Sequence, residues 1–194
     1  MREFDSNGLR LAEFQATLFE KSVNRFTCSS KIFIRRFLHS NILTVLDKNE
    51  SAKISFTTDE ALDEIENQFG KSTYGKIKYS SEALFWMGYL YRYISYTRDI
   101  ETAFLFKIFK YEQLHELYYT YHTQDNEWCV RNLLELNKLT ENIFDKNWRL
   151  RQAIMRTIPH AKDVGYRSIL FHRTLNYLEI RNTVLPFADN FFPI

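Results

Sequence analysis

Proline does not occur before position 159 of this 194-residue chain, and all three prolines (Pro159, Pro186, Pro193) fall in its last quarter. Proline removes a backbone N–H and clashes with the preceding helical turn, so its absence leaves the first 158 residues free of the strongest helix breaker. With only 5 glycines as well, the chain lacks the punctuation of a turn-rich β fold. The expected fold class is all-α: a single compact domain of about eight helices with a docked C-terminal tail. The helical body is expected over residues 1–158, with a C-terminal helix and apolar tail over 159–194 packing on the same domain.

The chain carries 17 Phe, 12 Tyr and 3 Trp, which suits a helical core because each ring covers a large area. A chain of this length can bury a sizeable core without disulfides or metals. The formal net charge of +2 gives no broad field for nucleic acid or an anionic membrane. Cys28 and Cys129 are too few and too far apart for a zinc site or a disulfide framework, which points to a reducing cytoplasm. The N-terminal sequence MREFDSNGLRLAEF has no apolar run of the kind a signal peptide needs. No segment approaches the ~18 uncharged apolar residues of a membrane span. The expectation is a cytoplasmic protein with no cofactor and no metal.

Residues 8–24 place Leu11, Phe14 and Leu18 at helical spacing. Ser29 or Ser30 is an N-cap ahead of KIFIRRFLHS, and 41–47 continue as a short helix. The polar stretch after it reads as a loop, with one short extended piece at Ile54 and Phe56. Thr57 and Glu60 form a capping box, and the helix behind them stops at Gly70. Residues 70–79 are basic, glycine-punctuated and expected to be mobile. Residues 81–96, SEALFWMGYLYRYISY, are apolar nearly all round, which marks a central helix buried on several sides. Shorter helices follow at ETAFLFKIF, YEQLHELYYTY and NEWCVRNLLELNKL. Another is expected ahead of Pro159 and a last one over 163–181.

Few residues are arranged for chemistry. His39, His115, His122, His160 and His172 include no i, i+4 pair of the zinc-binding kind. Asp59, Glu60, Asp63, Glu64 and Glu66 follow a capping box and read as a solvated helix face favoured by the N-terminal dipole. Gly70-Lys71-Ser72 matches the end of a phosphate-binding loop, but the upstream glycine and the preceding strand are missing. The remaining candidate is Arg167 with His172 in VGYRSILFHRTLNYLEI. It resembles the Arg-x4-His signature of HEPN proteins, all-helical ribonucleases of prokaryotic defence and toxin systems. That resemblance implies a metal-independent endoribonuclease in which the two residues pair across a homodimer. His172 would move the 2′-hydroxyl proton and Arg167 would hold the phosphate. Ser168 and Thr174 depart from the residues common in that family. Both residues also fit an ordinary helix surface.

A second resemblance covers residues 10–138. CSSKIFIRRFL at 28–38, YSSEALFWMGYLYRYISYT at 79–97 and KYEQLHELYYTYHTQD at 110–125 are similar to small Firmicutes proteins of toxin–antitoxin and mobile-element modules. The segment QDNEWCVRN departs from the acidic, proline-led stretch expected there. The resemblance implies an antitoxin-like role in which a protein partner, a toxin or a defence protein, is neutralised. No catalytic residue comes with it. The expected interface is the aromatic helix edge at Tyr91, Arg92 and Tyr93, together with Phe187, Phe191 and Phe192 of the tail. A phage-encoded inhibitor would present the same features. The HEPN-type ribonuclease is the alternative, and a purely structural prophage protein is a third reading.

Overall fold

Two long helices carry the fold, and their caps are written in the local sequence. The computed structural model describes residues 1–145. In the first helix, α1 (Ser6–Arg25), the Asp5 side chain accepts from the Gly8 N–H; in α5 (Ser81–Arg98), Ser80 accepts from Ala83. Each satisfies a donor that the first turn leaves without a partner. Between them lie α2 (Ser30–Leu38), α3 (Asn41–Leu46) and α4 (Thr58–Phe69); after them come α6 (Thr102–Ile108), α7 (Tyr111–Tyr121) and α8 (Asn126–Leu136). Single 3-10 turns occupy Ser51–Lys53 and Glu141–Phe144. Among the described residues there are eight α-helices and no strand, so the all-α expectation holds. Ile54 has extended backbone but pairs with no neighbouring strand. None of these helices is long and apolar enough to cross a membrane.

The first compact unit is Met1–Phe144. The helix expected ahead of Pro159, the boundary expected at 158, the helix expected over 163–181 and the tail lie outside the described residues.

The core is organised around the pairing of α1 with α5. Tyr96 bonds to Asp5, Arg92 to Gln15, and Gln15 Nε2 donates to the Gly88 carbonyl at 3.0 Å, an order that makes the two helices antiparallel. Leu11, Leu18 and Phe19 of α1 and Leu84, Met87, Leu90 and Ile94 of α5 are fully buried between them and their neighbours. Helix α5 is enclosed as its all-round apolar pattern requires: Ala83, Leu84, Met87 and Gly88 are buried, and so is every residue from Leu90 to Thr97. The Phe19, Phe33 and Phe37 rings of α1 and α2 meet edge-on or stacked at centroid distances of 5.0–6.4 Å. Edge-on contact suits the aromatic quadrupole, which disfavours face-to-face sandwiches.

The segment 70–80 is anchored on the α1–α2 junction, contrary to the mobility expected of it. The Ser29 and Ser30 N–H groups at the start of α2 donate to the Tyr74 and Ile77 carbonyls. Lys78 Nζ donates to the carbonyls of Val23 and Phe26 at the end of α1. A basic loop is thus used to close the carbonyl end of one helix and the amide end of the next.

At α4 both halves of the capping box are present: Glu60 N–H donates to Thr57 Oγ1, and the Glu60 carboxylate accepts from Thr57 N–H at 2.7 Å. The Thr57 backbone and hydroxyl donors hold the Glu60 carboxyl below its ordinary range. Thr57→Ala is expected to cost about 1 kcal/mol in urea unfolding, with Thr57→Ser restoring it. Equal stability of the alanine variant and the parent would show that the box contributes nothing. The acidic face behind it is tied to α1, as Asp59 pairs with Lys21 and Asp63 and Glu66 both pair with Arg25. These carboxylates face cations across a helix seam and do not form an acid/base pair.

Candidate functional site

Tyr91, Arg92 and Tyr93 do not form an exposed edge, and the interface expected there is corrected. Tyr91 is fully buried, stacked on Phe106 at 3.7 Å with its hydroxyl donating to the Phe109 carbonyl. Arg92 has no accessible surface. Its Nε and one terminal nitrogen donate to Gln15 Oε1 at 2.9 and 2.8 Å; the other nitrogen donates to the Leu46 carbonyl and to Asp47 Oδ1, both at 3.0 Å. Tyr93 packs edge-on against Phe4 and donates to Glu127, which Arg98 also holds. Burial, together with the Glu127 carboxylate, raises the Tyr93 phenol far above its ordinary value. These three side chains join helices to one another and offer a partner almost no area.

The exposed aromatic edge of α5 lies one to two turns earlier. Phe85, Trp86 and Tyr89 are only half-buried, and α7 brings Tyr118 alongside them. With Glu20 of α1, Glu82 of α5 and His122 they border an open groove of about 530 Å³. That size is ordinary for a ligand or side-chain site. Tyr118 is its hub. It meets Trp86 edge-on at 5.9 Å and Tyr119 at 5.3 Å, and His122 stacks beside it at 4.6 Å. His122 Nδ1 lies 2.8 Å from the Tyr118 carbonyl. A carbonyl only accepts, so Nδ1 carries a proton and donates, which fixes the ring against the end of α7. Burial raises the Tyr89 phenol, as does nearby Glu13, and the Asn126 hydrogen bond offsets this in part. The Glu82 carboxyl is held below its usual range by its own backbone N–H and by the Ser81 and Ser80 hydroxyls.

The sequence offers a signal for this groove in the YYTYHT string of α7 and in the rings that crowd the first two turns of α5. Neither indicates that the two would face each other. Arg167 and His172, and Phe187, Phe191 and Phe192 of the tail, lie outside the described residues. Among the described residues no group of three or more His, Cys, Asp or Glu could hold a metal ion. Cys28 and Cys129 are both buried and unpaired with one another. Burial raises the Cys129 thiol to about 11, which makes it a poor nucleophile at neutral pH.

Two further grooves flank the body. One, between α2 and the 70–80 segment, carries exposed Tyr74 and Ile77 beside Lys31, Arg35 and Lys76, and the Lys31–Glu112 ion pair lies in it. The other, over α3, is lined by small and polar side chains such as Ser40, Asn41 and Thr44. Of these three grooves, the one between α5 and α7 sets several rings beside carboxylates that enter no ion pair among the described residues. Comparison of the chain with protein-family models, with curated proteins and with solved structures finds no match in any of the three.

Proposed function

We propose that this protein is a binding component that neutralises another protein, antitoxin-like or a phage-encoded inhibitor, in a toxin–antitoxin or phage-defence module. The observation that carries the reading is the open groove with half-exposed Trp86 and Tyr118 set on a well-packed helical body. Trp and Tyr dominate the energetically important positions of protein interfaces, because they bring large area at low entropy cost. The resemblance of residues 10–138 to small proteins of toxin–antitoxin modules supplies the biological setting. The resemblance rests on a run of aromatics and on the YRY…YT and LYY.YHT.D strings; the second supplies Tyr118 and His122 of the groove, while the first lies in the buried part of α5.

The test is co-purification of the full chain with its partner from the source cells, followed by the same capture with Trp86→Ala/Tyr118→Ala. Each truncation at a central aromatic position is expected to cost about 2 kcal/mol or more of binding, so the pair should lose the partner almost completely. Circular dichroism and melting should stay close to the parent, because both rings are partly exposed. Retention of the partner by the folded double variant would overturn the assignment of the groove. Growth arrest on expressing the chain alone, relieved by His172→Ala, would replace the whole proposal with the ribonuclease.

A further inference from the structure

We infer that the α5–α7 groove reads a cationic side chain, an arginine or lysine on the docking segment of the partner, seated against Trp86, Tyr89 and Tyr118 with its charge toward Glu20 and Glu82. This rests on the reading that the groove docks a protein, and it names the chemistry of what enters.

Several acids of the body face a cation. Asp59 has Lys21, Asp63 and Glu66 share Arg25, Asp47 has Arg92, Glu112 has Lys31, and Glu127 and Glu141 share Arg98. Glu20 and Glu82 border the groove, and among the described residues neither enters an ion pair. Glu82 is moreover held in its charged form by its own N–H and two serine hydroxyls. An apolar occupant would remove water from these carboxylates without replacing it, which costs free energy. An anionic occupant would be repelled. A cation on an apolar stem satisfies both halves of the site, because the stem packs on the rings while the charge meets the carboxylates.

Ring geometry points the same way. An aromatic face carries negative potential and attracts a cation within about 6 Å of its centroid, with Trp the strongest of the three rings. Trp86 and Tyr118 meet edge to face at 60°, and His122 already stacks on Tyr118, so among the described residues Trp86 is the ring with no stacked neighbour and the better seat for the cation. Between the two cations, guanidinium fits better, since its plane stacks on a ring and its fork offers several donors to carboxylates at the rim.

The test uses the full chain and two blocked tripeptides, Gly-Arg-Gly and its citrulline counterpart, which keeps the shape but lacks the charge. The Trp86 indole resonance is followed by NMR and assigned with Trp86→Phe. The arginine peptide is expected to shift it saturably, with the citrulline peptide at least about tenfold weaker. Glu20→Gln/Glu82→Gln is expected to weaken the arginine peptide by a similar factor and leave the citrulline peptide unchanged. Equal affinity for both peptides would overturn the cation reading. So would silence toward both while the Trp86→Ala/Tyr118→Ala variant still loses the captured partner, an outcome that leaves the groove as a docking site. Silence toward both, with capture also unaffected, would overturn both readings.

Discussion

Arg92→Ala is expected to cost about 3–5 kcal/mol, a large part of the ~5–15 kcal/mol that holds a domain of this size together. The guanidinium has no accessible surface and lies where α1, α3 and α5 meet. Burial pulls its pKa down from the ordinary value, and nearby Asp47 counters the effect. Truncation would leave Gln15 Oε1 without the donors it now has, take one of two donors from the Leu46 carbonyl, which keeps the Asn49 N–H, and open a void among packed helices. Asp47 would lose its cation but keep Thr102, whose hydroxyl and N–H both donate to it. That link also caps α6, whose own N-cap residue, Glu101, makes no side-chain cap bond. Without Arg92 the Asp47 carboxylate is held by Thr102 alone, and the disturbance is expected to reach α6 as lost amide protection. Arg92→Lys should recover only part of the stability, since an ammonium cannot span Gln15 and Asp47 as a planar fork does. Arg92→Met/Gln15→Leu should cost less than the sum of its single changes, because the two residues satisfy each other. Urea melts of the five variants, the two single changes of the double included, decide this, and an alanine variant within about 1 kcal/mol of the parent would show that the network is dispensable.

The same residue marks the limit of what the chain reveals about itself. Local features were legible: the Thr57–Glu60 box, the cap at Ser29 and the enclosure of 81–96 each depend on residues within a few positions of one another. Orientation was not. A helix that is apolar nearly all round has no polar side to say which way it faces, so Arg92 in the middle of an aromatic triplet reads as the exposed edge. It is buried instead because Gln15 and Asp47, 77 and 45 positions away, supply its acceptors. Segment 70–80 follows the same logic, since its glycines and lysines suggest mobility while its hydrogen bonds run to Val23, Phe26, Ser29 and Ser30. The groove was half legible. Its rings stood in the aromatic runs of 81–96 and 111–121, but Tyr118 meets Trp86 only because α7 folds back along α5.

Gly88→Val is expected to destroy the cooperative fold, and the dependence on side-chain size is what identifies the cause. A Cβ at position 88 would lie 3.0 Å from Ala16 Cα, 3.0 Å from Gln15 O and 3.1 Å from Phe19 Cβ. Two of those atoms are the backbone of α1, so relief requires the two central helices to part. Alanine gains about 1 kcal/mol of helix propensity over glycine, set against ~1–3 kcal/mol for an overfilled core, and Gly88→Ala should be destabilised by a small net amount. Valine adds two methyl groups to a contact that is already too close. It would also pull the Gly88 carbonyl away from Gln15, and with it the acceptor that holds Arg92. Gly70 is the control: its φ of +72° strains any other residue, yet no atom lies within 4 Å of a Cβ placed there. Gly70→Ala and Gly70→Val should therefore cost similar amounts, of the order of 1–3 kcal/mol. Thermal melting with near-UV circular dichroism reads all four variants. A steep rise from alanine to valine at 88 and a flat response at 70 assigns the first glycine to helix contact and the second to backbone conformation. A flat response at 88 would mean that α1 and α5 have room to separate, and that Gln15 and Arg92, more than close packing, hold them at this distance.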